Sequence, residues 1–271
     1  MTVPLTKTVQ ASQTLSDRGR WPLVLSAGVV LLFWWAATGF TFAMQASPSA
    51  IVVSLVTSAL LAAVGLVFVV RSRTDVTARG ARIAFLGSAL LWWWCAVVFY
   101  AGWGVRLAGM NATQTIPARS WSLAIDAIAA TWRADALGVA ILALVFATVR
   151  RSPNRAAFWS LSIFWGTLQT AKLNVFFGVR NAGIELLPPH LAGLGAFFGP
   201  SLNSPLLVIT LLALAALLLY LGNRVRHATS TFERHAGAML LMLVALAFLE
   251  HAVLGASAAL PLWNFFMATN T

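Results

Sequence analysis

Charge is scarce in this chain, and its scarcity excludes more than any motif does. Asp, Glu, Lys and Arg fill only 9% of the 271 positions, where a soluble domain carries about a quarter. A water-soluble globular fold is therefore excluded for most of the sequence. Cysteine is almost missing: Cys95 stands alone within an apolar run. That rules out an intramolecular disulfide and any multi-cysteine zinc or iron–sulfur site. No glycine loop that would cradle phosphate can be read, and no nucleophile–base arrangement or cluster of metal ligands. Ser88 and Thr167 have no base at a readable spacing, and the acids are too dispersed to define a general acid/base pair. These absences weigh against catalysis without excluding it.

What is present is apolar. Hydrophobic residues make up 60% of the chain, gathered into runs of about 20, the length a helix needs to cross a ~30 Å hydrocarbon core. Only helices and closed barrels satisfy the backbone in lipid, and the runs lack the period-two alternation of barrel strands. The pattern predicts an all-α, polytopic transmembrane bundle of about seven spans, at 21–43, 49–70, 81–104, 121–149, 156–177, 205–223 and 236–255. The fourth is polar in its first third and reads as starting in the interface. Pro48, Pro153 and Pro205 fall at span edges, where proline starts or ends a helix at little cost. Residues 1–20 read as a polar, weakly basic cytoplasmic segment with no cleavable signal. Residues 21–255 form the membrane domain with a loop at 178–204. Residues 256–271 read as an interfacial tail, with Trp263 at headgroup depth.

The net charge of +11 sits in short patches beside the spans. Such patches fit topology signals and anionic lipid headgroups rather than nucleic acid. Arg106, Arg119, Arg133, Lys172 and Arg180 fall on one side of the seven-span topology, and the other 13 of the 18 basic residues on the opposite side. The positive-inside rule then predicts a cytoplasmic N-terminus and an outer C-terminus. Asp17, Asp75 and Glu233 lie among cytoplasmic arginines and read as solvated charge balance. His227 and His235 read as solvated in a basic loop. The remaining acids, Asp126, Asp135, Glu185 and Glu250, gather in the outer half. Ionisable groups there are costly unless paired or wet, so they mark candidate sites. Lys172 or Arg133 could pair with Glu250, Asp126 or Asp135, and spacing alone does not choose.

The densest such region is 171–191. Lys172 and Asn174 suit an anionic or carbonyl-bearing ligand; the structural alternative is a lysine snorkelling to headgroups and an asparagine capping the helix. Pro188 and Pro189 stiffen the loop, holding His190 as a ligand or folding the loop over the bundle. Glu250 and His251 point about 100° apart, so one faces the bundle when the other does not. His251 suits tetrapyrrole-metal ligation, proton transfer or an interhelical hydrogen bond. The 12 tryptophans mostly fit interfacial belts. Trp92, Trp93 and Trp94 lie mid-span, where they pack against lipid and neighbours or wall off a pigment or isoprenoid ring.

Several of these residues resemble motifs of the PuhE family of photosynthetic complex assembly proteins. The likeness runs through most of the chain. It includes Phe33-Trp34-Trp35 with Thr38-Gly39, the segment from Thr74-Asp75 to Ala84-Phe85, and Pro153-Asn154-Arg155. Its most specific parts are Ala171-Lys172-Leu173-Asn174 with Phe177-Gly178-Val179, Glu185-Leu186-Leu187-Pro188-Pro189-His190-Leu191, and Leu249-Glu250-His251. The chain reads as a divergent member. Ala96 stands where the family's third span carries an acid, Ala134-Asp135 where it carries His-Glu, and 197–203 replaces an arginine-rich stretch.

The resemblance implies an accessory or assembly factor of the bacterial reaction-centre–antenna complex, in the inner or intracytoplasmic photosynthetic membrane. Its implied partners are membrane lipids and reaction-centre or light-harvesting subunits, with bacteriochlorophyll or another tetrapyrrole as a candidate cofactor. Lys172, Asn174, Glu185, His190, Glu250 and His251 would organise its binding site. Two other classes stand beside it: an intramembrane enzyme or transporter acting on an isoprenoid or tetrapyrrole, and a permanent structural subunit of the complex.

Overall fold

The long apolar runs all fold as helices. The computed structural model describes residues 6–44, 47–106 and 121–256, with side-chain detail from residue 23 onward except at 42 and 186. Arg119 and all but the first residue of the expected interfacial tail lie outside the described residues. The helices are α1 (Thr6–Ala43), α2 (Pro48–Ser72), α3 (Ala78–Tyr100), α4 (Trp121–Val149), α5 (Ala156–Phe177), α6 (Pro205–Arg226) and α7 (Thr231–Gly255). Two 3-10 helices, Ile184–Leu186 and Pro189–Phe197, occupy the α5–α6 loop. No strand occurs among the described residues, and the protein is a polytopic helical bundle.

Among the described residues six helices are long and apolar enough to cross a membrane, α5 being the exception. Its 22 residues give it the length, but Gln169, Thr170, Lys172 and Asn174 lower its hydropathy. It packs against α3, α4, α6 and α7, and those contacts take up its polar side chains. The fourth run is one continuous helix, with no break after its polar first third. α1 begins well before the expected span, at Thr6.

Helix ends follow local chemistry. Ser47 and Thr77 cap α2 and α3, accepting from the N–H of Ala50 and Gly80, which satisfies first-turn donors that have no intrahelical partner. Ser230 and Glu233 form a full capping box on α7. Pro48 and Pro205 stand in first turns, where a missing N–H costs nothing. Glu233 is thus a capping group rather than simple charge balance. Asp75 likewise accepts from the N–H (2.9 Å) and hydroxyl (2.6 Å) of Thr77. The hydroxyl first, and then the backbone bond, hold its carboxyl below the usual carboxylate range.

α3 is the axis of the bundle. Half of its membrane-length window is buried, against 17–33% for the other candidate spans, and it touches α1, α2, α4, α5 and α7. Its approach to α2 is close, because small residues allow it. A Cβ on Gly65 or on Gly87 would lie 2.7 Å from the other's carbonyl oxygen. Ser54, Ser58 and Ala62 continue the same small, buried face of α2. Lipid tails give helices no hydrophobic reason to associate, so such close backbone packing carries the association.

The polar turn between α4 and α5 locks onto the turn between α2 and α3. Asn154, 1% exposed, donates from Nδ2 to the carbonyls of Ser72 (2.9 Å), Asp75 (3.0 Å) and Gly80 (3.2 Å). Its Oδ1 accepts from the Ala156 N–H at 3.0 Å. The same end holds His235, which is not solvated as expected. It is buried on α7, and its Nδ1 lies 3.0 Å from Ser26 Oγ on α1. The loop reading fails because α7 starts at Thr231, not at 236.

At the opposite end, where α3, α5 and α7 finish, the 178–204 loop closes over the helix ends. Gly178 has φ +118° and crosses Gly199 so closely that a Cβ on Gly199 would lie 2.3 Å from Gly178 N. Only glycine accommodates both demands. Leu191, Leu194 and Phe197 then pack on Ala130 of α4, beside Phe99. Asn181 and Asn203 donate to the last carbonyls of α7, at Val253, Leu254 and Gly255.

Candidate functional site

The polar residues of the loop end do not form one cluster. They divide among several helix pairs, and each group does a different thing.

Lys172 neither snorkels nor stands free. It projects from α5 to Asp135 on α4, with Nζ 2.6 Å from Oδ1 and both side chains a quarter exposed. Gln169 also donates to Oδ1, at 3.0 Å, and Thr131 to Oδ2, at 3.0 Å. The ammonium lies 5.1 Å from the centre of the Phe99 ring, a favourable electrostatic approach. Among the partners open to it from spacing, Lys172 takes Asp135. Arg133 instead lies over Trp132, and Asp126 is exposed.

Asn174 and His251 belong to a buried chain of hydrogen bonds joining α5, α6 and α7. Both are fully buried. His251 Nδ1 lies 2.8 Å from the Ala247 carbonyl. A carbonyl only accepts, so Nδ1 carries a proton, while Nε2 lies 3.0 Å from Thr170 Oγ1, whose single proton also faces the Thr167 carbonyl at 2.9 Å. Both ring nitrogens are thereby engaged by protein, which favours the interhelical bond over metal ligation. Asn174 Nδ2 donates to the Thr170 carbonyl (2.9 Å) and to Thr210 Oγ1 on α6 (3.0 Å). Its side chain therefore crosslinks helices rather than capping one. Its Oδ1 has no protein partner among the described residues.

His190 caps α3. Its Nε2 lies 2.7 Å from the Tyr100 carbonyl, one of the carbonyls a helix C-terminus leaves unpaired. It also packs against Gly102, whose φ of +78° turns the chain beneath it. The Pro-Pro-His segment thus folds the loop over the bundle. Glu185 is exposed in the first 3-10 helix and joins none of these groups.

Glu250 faces the other way from its neighbour, as a 100° separation requires. It accepts a 2.5 Å hydrogen bond from Trp34 Nε1 on α1. Between α1, α3, α5 and α7 lies a cleft of about 210 Å³, lined by Glu250, Trp34, Phe33, Trp92, Trp93 and Phe164 among others, with hydroxyls from Thr38, Thr41 and Thr167. The three mid-span tryptophans serve three faces. Trp92 stacks on Phe164 at 5.8 Å and 13°; Trp93 donates to Thr41 Oγ1 at 2.9 Å; Trp94 packs into the core between α2, α3, α4 and α5. Behind the cleft, a chamber of about 60 Å³ is lined by Lys172, Asp135, Trp165 and Cys95. Trp92, Ala96, Tyr100 and Leu168 line both.

Of the six residues singled out from sequence, Glu250 and Lys172 therefore line cavities. Asn174, His251 and His190 hold the bundle together, and Glu185 stands apart. Sequence reading missed Trp34, Thr170, Thr210 and Gln169. Trp34 had a signal, its place in the Phe33-Trp34-Trp35 motif. The hydroxyls and the glutamine carry none, since threonine is ordinary in a membrane helix until its partner helix is known.

A family model described as "Protein of unknown function (DUF3623)" matches residues 22–271. The chain is 26% identical over 233 residues to a protein of Rhodobacter capsulatus described as "Uncharacterized 30.4 kDa protein in puhA 5'region", covering 84% of each chain. No solved structure matches.

Proposed function

We propose that this chain, which belongs to the DUF3623 family of proteins of unknown function, is an accessory factor in assembly of the bacterial photosynthetic reaction-centre–antenna complex. Its resemblance to PuhE proteins leads to that reading. The relative's name supports it, since it places that gene beside puhA, a photosynthesis locus. The multi-pass helical bundle is the architecture such a factor needs in the inner or photosynthetic membrane. In this reading the arginine-rich end is cytoplasmic, and the 178–204 loop faces the other side.

The cleft between α1, α3, α5 and α7 is the observation that carries the mechanism. Its aromatic walls suit an apolar guest, and its few polar groups would fix orientation. Its size decides how much of a guest it holds. At about 210 Å³ it falls below the ~300–1,000 Å³ of pockets that enclose a whole drug-sized ligand. It would receive one edge or the isoprenoid chain of a pigment-class molecule, not an enclosed macrocycle. His251 would not ligate a central metal, because both its nitrogens are already bonded. The protein would then present a pigment to its destination while leaving most of it accessible for transfer.

Tagged protein purified from a phototrophic host tests this. The expected result is association with immature complexes, together with lower complex levels when Glu250→Gln or Trp92→Ala alters the cleft. Stoichiometric presence in mature complexes would make it a structural subunit. Normal complex and pigment levels in both variants would refute the role of the cleft.

A further inference from the structure

We infer that the cleft and the chamber behind it form one site, whose guest is an apolar amphiphile bearing a carbonyl. Its hydrocarbon body would lie in the cleft and its carbonyl oxygen in the chamber. The inference deepens the guest-binding reading of the cleft and rests on it.

The chamber's unused hydrogen-bonding capacity is one-sided. Asp135 already accepts from Lys172, Gln169 and Thr131, so both its oxygens are engaged. Trp165 Nε1, in contrast, is a buried donor with no hydrogen-bond partner among the described residues. Leaving such a group unpaired is costly, a cost that a guest's acceptor would offset. Lys172 offers more donors, since an ammonium carries three N–H bonds and Asp135 takes one. Donors in excess of open acceptors favour a guest that accepts without donating. A carbonyl meets that requirement. A hydroxyl must also place its proton, for which Asp135 Oδ2 has about one accepting site beside Thr131, and an ammonium would meet the Lys172 charge. A carboxylate would find the lysine charge already neutralised.

Trp165 and Gly138 stand side by side in the chamber wall. The indole N–H edge of Trp165 lies against Gly138, where a Cβ would come within 2.9 Å of Cδ1 and 3.2 Å of Nε1. A larger residue at 138 would push against the indole at Cδ1 and Nε1. The chamber, at about 60 Å³, has room for a carbonyl and its carbon, or about two waters at ~30 Å³ each. Ala96, with only a methyl group, lines both spaces, so the head of a guest in the cleft has a short path to Trp165.

Detergent-purified full-length protein should be titrated calorimetrically with decyl-benzoquinone, which has ring carbonyls, and with decylbenzene, which has none. The expected result is binding of both, with the quinone about tenfold tighter, the worth of roughly one hydrogen bond. Trp165→Phe and Gly138→Ala should each bring the quinone down toward the hydrocarbon, with each variant's circular dichroism and melting temperature serving as the check on folding. Equal binding of the two probes to the wild type would overturn the carbonyl inference and leave the cleft reading standing. A quinone preference surviving in both variants would overturn the assignment to the chamber. Binding of neither probe would overturn the cleft reading itself.

Discussion

Replacing Asn154 with alanine removes four hydrogen bonds, three that fasten the α4–α5 turn to the α2–α3 turn and one within the α4–α5 turn itself. A net value of about 0.5–1.5 kcal/mol each puts the loss between roughly 2 and 6 kcal/mol. The lower half of that range applies, because the stranded groups are not all orphaned. The Ser72 carbonyl keeps the Asp75 N–H at 2.9 Å, and the Asp75 bond is only partly buried. We expect about 3 kcal/mol, read as a shifted unfolding midpoint in mixed detergent–denaturant titrations. Asn154→Asp is the sharper probe because it preserves shape. Its Oδ1 can still accept from Ala156, but its second oxygen faces three carbonyls that also only accept. At neutral pH the aspartate variant should be at least as unstable as alanine. Its deficit against wild type should shrink as pH falls and the new carboxyl gains a proton to donate. An aspartate variant as stable as wild type at pH 7 would refute the claim that donation to those carbonyls holds the turns together.

Three further outcomes follow from the same structure. Lys172→Met alone should destabilise by about 1–3 kcal/mol by stranding Asp135, at the low end for a pair a quarter exposed. Adding Asp135→Asn should recover part of the loss, and a double-mutant cycle with zero coupling would count against the pair. Gly65→Ala should destabilise by about 1–3 kcal/mol, since its methyl would meet the Gly87 carbonyl. Gly222→Ala, with nothing within 4 Å of the new methyl, should be neutral or stabilising by up to ~1 kcal/mol; similar melting shifts for the two would refute the close-packing argument. Thr77 holds the folded Asp75 carboxyl below its usual range, so its contribution is complete above the unfolded value of about 3.9 and fades as pH falls through the lower folded value. The melting temperature of Asp75→Asn should therefore lie below that of wild type at pH 7, with the gap narrowing as pH falls below about 3.9. A gap unchanged by pH would refute that linkage.

The route from sequence to fold was short because the solvent is a bilayer. Run length, proline placement and the near absence of charge specify membrane-length helices, since lipid leaves the backbone no alternative. The bounds of α4 and α5 agree with the expected spans to the residue. α1 starts at Thr6 rather than 21, and at α7 the basic stretch before 236 hid a capping box that starts the helix at Thr231 and buries His235. The site was less legible. Sequence identified the unusual groups and grouped them by side of the membrane, but a side is an area, not a contact.

Scarcity of charge therefore determined, from sequence alone, that this protein is a helical membrane bundle, and that its remaining polar residues would be held to specific tasks. Tertiary structure alone decided what those tasks are. Helix rotation sends His251 into a sealed hydrogen-bond chain and Glu250 into an aromatic cleft, though they are adjacent in sequence. Helix pairing selects Asp135 for Lys172 from several acids within reach. The reason is geometric: hydropathy fixes how deep a residue sits, whereas rotation and pairing depend on small residues, such as Gly65 and Gly87, that let one helix face approach another.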